Sequence, residues 1–278
     1  MKKLKKTYRV TSKLFLFSLS NLLSKILRVI GLDITPALHK LSPFNYDYSN
    51  STRRLVYKPN NKSFNKIIID TSLYNSFLCQ LGKKYSTNKS PFNLNGHRIG
   101  YTGIYNFLFH QLRNKKINFA EIGIEKNGSI RMWRSYFKKA KIYGLEFDIN
   151  KIRNAKKYKL KNTHYHKINV NKDESLKKTF KKIKKRFDIV VDDSTHNFED
   201  QIKIIKNCYR YLNNNGLLII EDIYKYQSKH TEKRYYENLK GLKKYFSDIV
   251  FLETNNVNNF TASWKCEKIL LLIRNNKN

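Results

Sequence analysis

Carboxylates that close short apolar runs are the residues of this 278-residue chain best placed to do chemistry. FDIVVDDSTH (187–196) ends one run in Asp192, Asp193 and His196, and GLLIIED (216–222) ends the next in Glu221 and Asp222. Clustered carboxylates repel one another unless a cation neutralises them, and an all-oxygen set suits Mg²⁺, Mn²⁺ or Ca²⁺ rather than zinc. Asp193, Glu221 and Asp222 are therefore the candidate metal ligands. His196, three residues beyond Asp193, is the candidate general base beside them. The plainer alternative is that Asp192 and Asp222 cap helices and His196 is an ordinary surface residue. Thirteen of the 21 acids lie between Glu121 and Asp222, although the chain carries 56 Lys and Arg. Acids gathered at successive run ends in so basic a chain favour the metal.

A second constellation lies upstream, in EIGIEKNGS (121–129). Gly123 permits a tight turn with close backbone approach, and Gly128 lets a helix start against a ligand. Glu121 and Ser129 flank the loop, and the next apolar run ends in Glu146, 23 residues beyond Gly123. An acid there can accept hydrogen bonds from both ribose hydroxyls of a nucleoside. The G-x-G-x-x-G of a nicotinamide dinucleotide site is missing, so S-adenosylmethionine is the better ligand. Glu121, Gly123, Gly128, Ser129, Glu146 and Asp192 form the candidate cofactor set. Valine at Gly123 is expected to abolish binding and leave the fold largely intact.

The elements that must position these residues follow from hydrophobic periodicity. INFAEI (117–122), KIYGLE (141–146), HYHKI (164–168), FDIVVDD (187–193) and GLLIIED (216–222) are apolar strands separated by stretches with apolar residues three or four apart. Strands of that kind imply a parallel sheet covered by helices on both faces. DIVFLE (248–253) and KILLLI (268–273) follow without a crossover helix, so the last strand runs antiparallel. The fold class is α/β, a Rossmann-like seven-stranded methyltransferase sheet, and ligands bind beyond the carboxyl ends of its strands.

Residues 1–40 form a basic amphipathic helical extension suited to peripheral contact with an anionic membrane, 41–75 a linker or irregular segment, and 76–278 the catalytic domain. No stretch reaches the roughly 20 apolar residues of a membrane span. The net charge of +35 invites a nucleic-acid partner, but 43 of the 56 cations are Lys in a chain rich in Asn, Ile and Tyr, a mixture that AT-rich coding also produces. Three widely spaced cysteines exclude a disulfide framework and fit a reducing compartment, the cytoplasm or the inner face of its membrane.

These residues resemble a known family, the metal-dependent sugar O-methyltransferases of antibiotic biosynthesis typified by the macrocin and mycinamicin O-methyltransferases. The resemblance spans about residues 81–274. It rests on KKYSTNKS with a following His97 and YTGIY, then FAEIGIEKNGSIRMWRSYFKKAKIYGLEFD, FDIVVDDSTHNFEDQ, GLLIIEDI and WKCEKILLLIR. It implies a class I methyltransferase fold, S-adenosylmethionine as donor, Mg²⁺ (or Mn²⁺) on Asp193, Glu221 and Asp222, and His196 as base. It also brings Asn169 into the cofactor set, at a position where family members usually have Asp. Asn88 and Ser194 likewise stand where Asp and Gly are usual. The expected activity is O-methylation of a sugar hydroxyl on a glycan or glycosylated small molecule, with a homo-oligomer as one expected assembly. Nucleic-acid methylation and an inactive membrane-associated scaffold are the alternatives.

Overall fold

The computed structural model describes residues 55–58, 64–94, 96–225, 228–259 and 268–276. The expected helix within residues 1–40 lies outside the described residues. Strands β1 (Leu55–Lys58) and β2 (Asn65–Asp70) precede helices α1 (Phe77–Lys84) and α2 (Tyr101–Phe109). Then come β3 (Asn118–Ile122), α3 (Gly128–Tyr136), β4 (Lys141–Glu146), α4 (Ile149–Lys156), β5 (Thr163–Lys167) and α5 (Asp173–Ile183). The chain continues through β6 (Phe187–Asp192), α6 (Phe198–Cys208), β7 (Leu212–Ile220), α7 (Glu232–Leu239), β8 (Phe246–Asn255) and β9 (Lys268–Arg274).

Among the described residues nine strands join one sheet in the order β1-β2-β8-β9-β7-β6-β3-β4-β5. Strands β3 to β7 pair in parallel, and β9 runs antiparallel to both β7 and β8, the direction expected for the last strand. The sheet is wider than the seven strands expected. The addition, β1 and β2, comes from within the segment expected to be irregular. Polar Asn and Lys residues surround the short run Ile67-Ile68-Ile69 and hide it in the sequence. Pairing of β2 along β8 covers backbone groups that an open edge would leave exposed.

Burial on both faces explains the apolar strands. Ala120, Ile122, Val190, Leu218 and Ile220 pack under α5 and α6, while Phe119, Ile142, Ile189, Val191 and Ile219 pack under α2 and α3. Helix α5 has the charge order its dipole favours, starting with Asp173 and Glu174 and ending with Lys181 and Lys182. Trp133 of α3 is fully buried, 5.0 Å from the Phe119 ring and 5.5 Å from the Tyr105 ring, so α2 is fixed against the sheet edge where the acids emerge. Among the described residues no helix is long and apolar enough to cross a membrane.

Candidate active site

Parallel pairing of β6 with β7 places Asp192 opposite Ile220, so Asp193, Glu221 and Asp222 leave the sheet side by side. Two ladder bonds continue past the strand ends: Asp193 N donates to the Ile122 carbonyl at 2.8 Å, and Glu221 N to the Asp192 carbonyl at 2.9 Å. The backbone then bends. His196 (φ 56°) and Asp222 (φ 54°) are both left-handed, a region that His and Asp tolerate better than most residues. The bends bring the imidazole between two carboxylates, with Nε2 3.0 Å from Asp193 Oδ1 and Nδ1 3.4 Å from Asp222 Oδ2. Helix capping does not account for these acids, since Asn197 precedes α6 and Thr231 precedes α7.

Tyrosines one helical turn apart in α2 complete the wall. The Tyr101 hydroxyl donates to Asp222 Oδ1 at 3.0 Å, and the Tyr105 hydroxyl donates to Glu221 Oε1 at 2.5 Å. The i, i+4 spacing inside YTGIY is what aims both at adjacent acids. Nothing in the motif's sequence alone marks this role.

Lys89, which is 1% exposed, is a further residue of the site that the sequence does not mark. The Lys89 ammonium lies 2.5 Å from Asp193 Oδ2, 2.5 Å from Glu221 Oε2 and 3.3 Å from Glu121 Oε1. One lysine among 43 carries no compositional signal, and only its place in KKYSTNKS set it apart.

The charges at this edge do not balance. Five carboxylates, of Glu121, Asp192, Asp193, Glu221 and Asp222, surround one ammonium and one imidazole. Burial raises the pKa of Glu121 and Asp222, and at Glu221 Lys89 only partly offsets it. Burial also pushes Asp192 up to about 7, against the hydrogen bond from Ser194. Asp193 goes the other way: despite burial, Lys89 and His196 hold it at about 2. Burial would lower the pKa of His196, yet the Asp193 hydrogen bond and the charges of Asp222, Asp193 and Asp192 raise it to about 9.

That surplus of negative charge suits a hard divalent cation. Asp193, His196 and Asp222 each offer a ligand atom within 4.8 Å of the others. Glu221, expected as a ligand, has both oxygens engaged, one by Tyr105 and one by Lys89.

A cavity of about 350 Å³ opens beside the acids, and Gly123, Glu146, Asn169, Asp193, Ser194 and His196 are among its walls. Gly123 has φ 88°, and a Cβ there would lie 2.0 Å from the Asp193 carbonyl oxygen. Glu146 is anchored by backbone amides: Ile124 N donates to Oε2 at 3.1 Å, and Phe147 N and Asp148 N to Oε1 at 2.8 and 3.0 Å. Other members of the expected cofactor set stand behind the wall. Gly128 meets the Tyr85 carbonyl, 2.8 Å from where a Cβ would be, so closeness to α1 rather than to a ligand requires the glycine. Ser129 donates to buried Glu121 at 2.8 Å, and Asp192 accepts from Ser194 Oγ at 2.6 Å. These three support the cavity and do not line it.

The methyltransferase domain family matches residues 127–266, half of the chain. The chain belongs to that family. The domain is 28% identical over 133 residues to the 8-demethyl-8-(2-methoxy-alpha-L-rhamnosyl)-tetracenomycin-C 3'-O-methyltransferase of Streptomyces olivaceus, a match covering 45% of this chain and 32% of that one. It is 27% identical over 160 residues to the mycinamicin VI 2''-O-methyltransferase of Micromonospora griseorubida, covering 53% and 36%. The chain spans about a third of the length of the curated relatives it matches. Among solved structures, the methyltransferase MycE in complex with Mg, S-adenosylhomocysteine and mycinamycin VI superposes with a TM-score of 0.53 at 19% identity, covering 73% of this chain and 55% of that one. An O-methyltransferase from Bacillus cereus in complex with S-adenosylhomocysteine gives 0.50 at 13% identity, covering 72% and 91%. These likenesses show the class I methyltransferase fold.

Proposed function

We propose that the domain transfers the methyl group of S-adenosylmethionine to a sugar hydroxyl of a glycosylated acceptor, with a divalent cation, Mg²⁺ or Mn²⁺, held at Asp193 and Asp222. The observation that carries the reading is the acid-rich edge, with its surplus negative charge, opening directly onto a nucleoside-sized cavity. The sugar O-methyltransferases among its relatives support the acceptor class.

The donor's ribose hydroxyls would meet Glu146, whose carboxylate is already fixed by three backbone N–H groups. Gly123, at the cavity wall, would lie beside the donor, and Asn169, also at the wall, would face the adenine side. A cation at Asp193 and Asp222 would lower the pKa of the acceptor hydroxyl by stabilising its alkoxide. His196, between those carboxylates and on the cavity wall, takes the hydroxyl proton as the oxygen attacks the sulfonium methyl group in line. Glu221 stands behind them, held by Tyr105 and Lys89.

Donor recognition has its own test. Glutamine at Glu146 keeps one acceptor oxygen but turns an amide NH₂ toward backbone N–H donors, so affinity for S-adenosylhomocysteine should fall about 10–100-fold. Calorimetry on the Glu146→Gln protein checks it, and unchanged affinity removes Glu146 from the donor site. The reaction is tested with labelled S-adenosylmethionine and a panel of rhamnosylated and other glycosylated acceptors. Label should enter the sugar, stop with EDTA and return with Mg²⁺ or Mn²⁺. Full transfer in EDTA overturns the metal reading, and label entering only nucleic acid overturns the acceptor class.

A further inference from the structure

We propose that Lys89 is a positioning residue, a permanent internal cation that divides the acid cluster into a fixed half and an exchangeable half. The second half rests on the cation reading above; the first does not.

The fixed half is defined by contact. Lys89 Nζ joins Asp193 Oδ2, Glu221 Oε2 and Glu121 Oε1, which belong to the ends of three neighbouring strands, β6, β7 and β3. The remaining Glu221 oxygen takes the Tyr105 hydroxyl, and the remaining Glu121 oxygen takes Ser129. Glu221, 2% exposed, thereby has both oxygens hydrogen-bonded inside the protein. Fully buried Glu121 has Ser129 on one oxygen and the 3.3 Å ion pair to Lys89 as the charge partner of the other, which accepts no hydrogen bond. The exchangeable half is what Lys89 leaves over: Asp193 Oδ1, at the cavity wall with His196, and Asp222 Oδ2, on the other side of the imidazole.

The main chain around Lys89 is built to keep it there. The Lys89 carbonyl accepts from Thr102 N at 3.0 Å, in the first turn of α2, and the Asn88 carbonyl accepts from Ile99 N at 2.7 Å. Ser90 Oγ donates to the Cys79 carbonyl at 2.8 Å, tying the same turn to α1. The ammonium is thus delivered by a clamped turn and not by a wandering surface side chain. Its consequence for the reaction is geometric. By drawing Asp193 Oδ2 toward β7, Lys89 turns Oδ1 toward His196, and by holding Glu221 it keeps a third carboxylate from competing for the exchangeable ion.

The test uses Lys89→Met, which keeps the shape and removes the charge, alone and combined with Glu221→Gln. Thermal midpoints are read in EDTA and in Mn²⁺, and Mn²⁺ affinity by electron paramagnetic resonance. In EDTA the Lys89→Met midpoint should fall by roughly 10 °C, because a buried carboxylate pair loses its partner. Mn²⁺ should restore it, binding about tenfold tighter than to wild type through the released oxygens. Adding Glu221→Gln should recover much of the loss in EDTA. A wild-type midpoint for Lys89→Met, or strictly additive effects of the two substitutions, overturns the proposal. If Lys89→Met yields no soluble protein, the double variant decides: regained folding supports the pairing, and failure to regain it overturns it. Should wild type bind no Mn²⁺, the cation reading fails, while the coupling of Lys89 to Glu221 in EDTA still decides the role of Lys89.

Discussion

Alanine at His196 is expected to slow methyl transfer about 10²–10⁴-fold at saturating donor, acceptor and cation, the usual contribution of a positioned base. The ring's two nitrogens face Asp193 and Asp222 at 3.0 and 3.4 Å, so its proton affinity is set by those carboxylates. A base works only when neutral, so the wild-type rate should rise with pH through the imidazole pKa and level off above it. Without a cation that pKa is about 9, because Asp193, Asp222 and Asp192 outweigh the burial that would lower it. Positive charge at the carboxylates opposes the imidazolium, so the rising limb should lie below pH 9 in Mg²⁺ and vanish in His196→Ala. Rate profiles of both proteins, with Mn²⁺ affinities beside them, check this. An unchanged rate would remove His196 from proton transfer, and a collapse of Mn²⁺ affinity would make it a ligand instead.

Alanine at Gly123 is the second substitution expected to have a large effect, and the effect is on folding. The residue has φ 88°, and its Cβ would lie 2.0 Å from the Asp193 carbonyl oxygen and 2.9 Å from Ser194 Cα. A left-handed backbone costs roughly 1–2 kcal/mol for a residue with a Cβ. Forcing atoms into a packed site adds about 1–3 kcal/mol. The thermal midpoint should therefore drop by roughly 5–20 °C. The atom in the way belongs to Asp193, so the surviving protein should also lose cation affinity. A scan in EDTA and a Mn²⁺ titration separate the two losses, and a wild-type midpoint would refute the contact. The sequence suggested a loop glycine that could become valine without unfolding the chain. The structure replaces that expectation, because the close neighbour is the protein's own backbone.

How far the sequence could be read depended on whether a signal was local. Parallel strands buried on both faces stand out as apolar runs, and polar residues that end them must lie at the sheet's ligand edge. That is why Asp193, Glu221, Asp222, Gly123 and Glu146 could be placed at that edge from their spacing. Contacts across the fold leave no such mark. Lys89 meets Asp193 and Glu221 across 104 and 132 residues, and nothing near it in the chain shows that it is buried. Gly128 illustrates the converse: its place at a helix start suggested a ligand, whereas its actual constraint is the Tyr85 carbonyl of a distant turn. The strands β1 and β2 escaped because their apolar content is two short runs, Leu55-Val56-Tyr57 and Ile67-Ile68-Ile69, among polar residues, and the pairing of β1 with β2 and of β2 with β8 is invisible without the sheet.

The left-handed backbone at His196 and Asp222 has a consequence for how this edge can change over generations of variants. A β-branched or bulky side chain at either position must first overcome its own main-chain conformation, whatever chemistry it offers. The residues favoured at both positions are Asn, Asp, His and Gly, with unbranched side chains also tolerated, as Ser86, Glu125, Lys159 and Lys184 show elsewhere in this chain. Asp193, outside that restriction, is the acid whose identity can drift without a backbone penalty. New ion preferences at this edge would therefore arise most readily through Asp193 and the residues that aim it, while β-branched and bulky side chains stay disfavoured at positions 196 and 222.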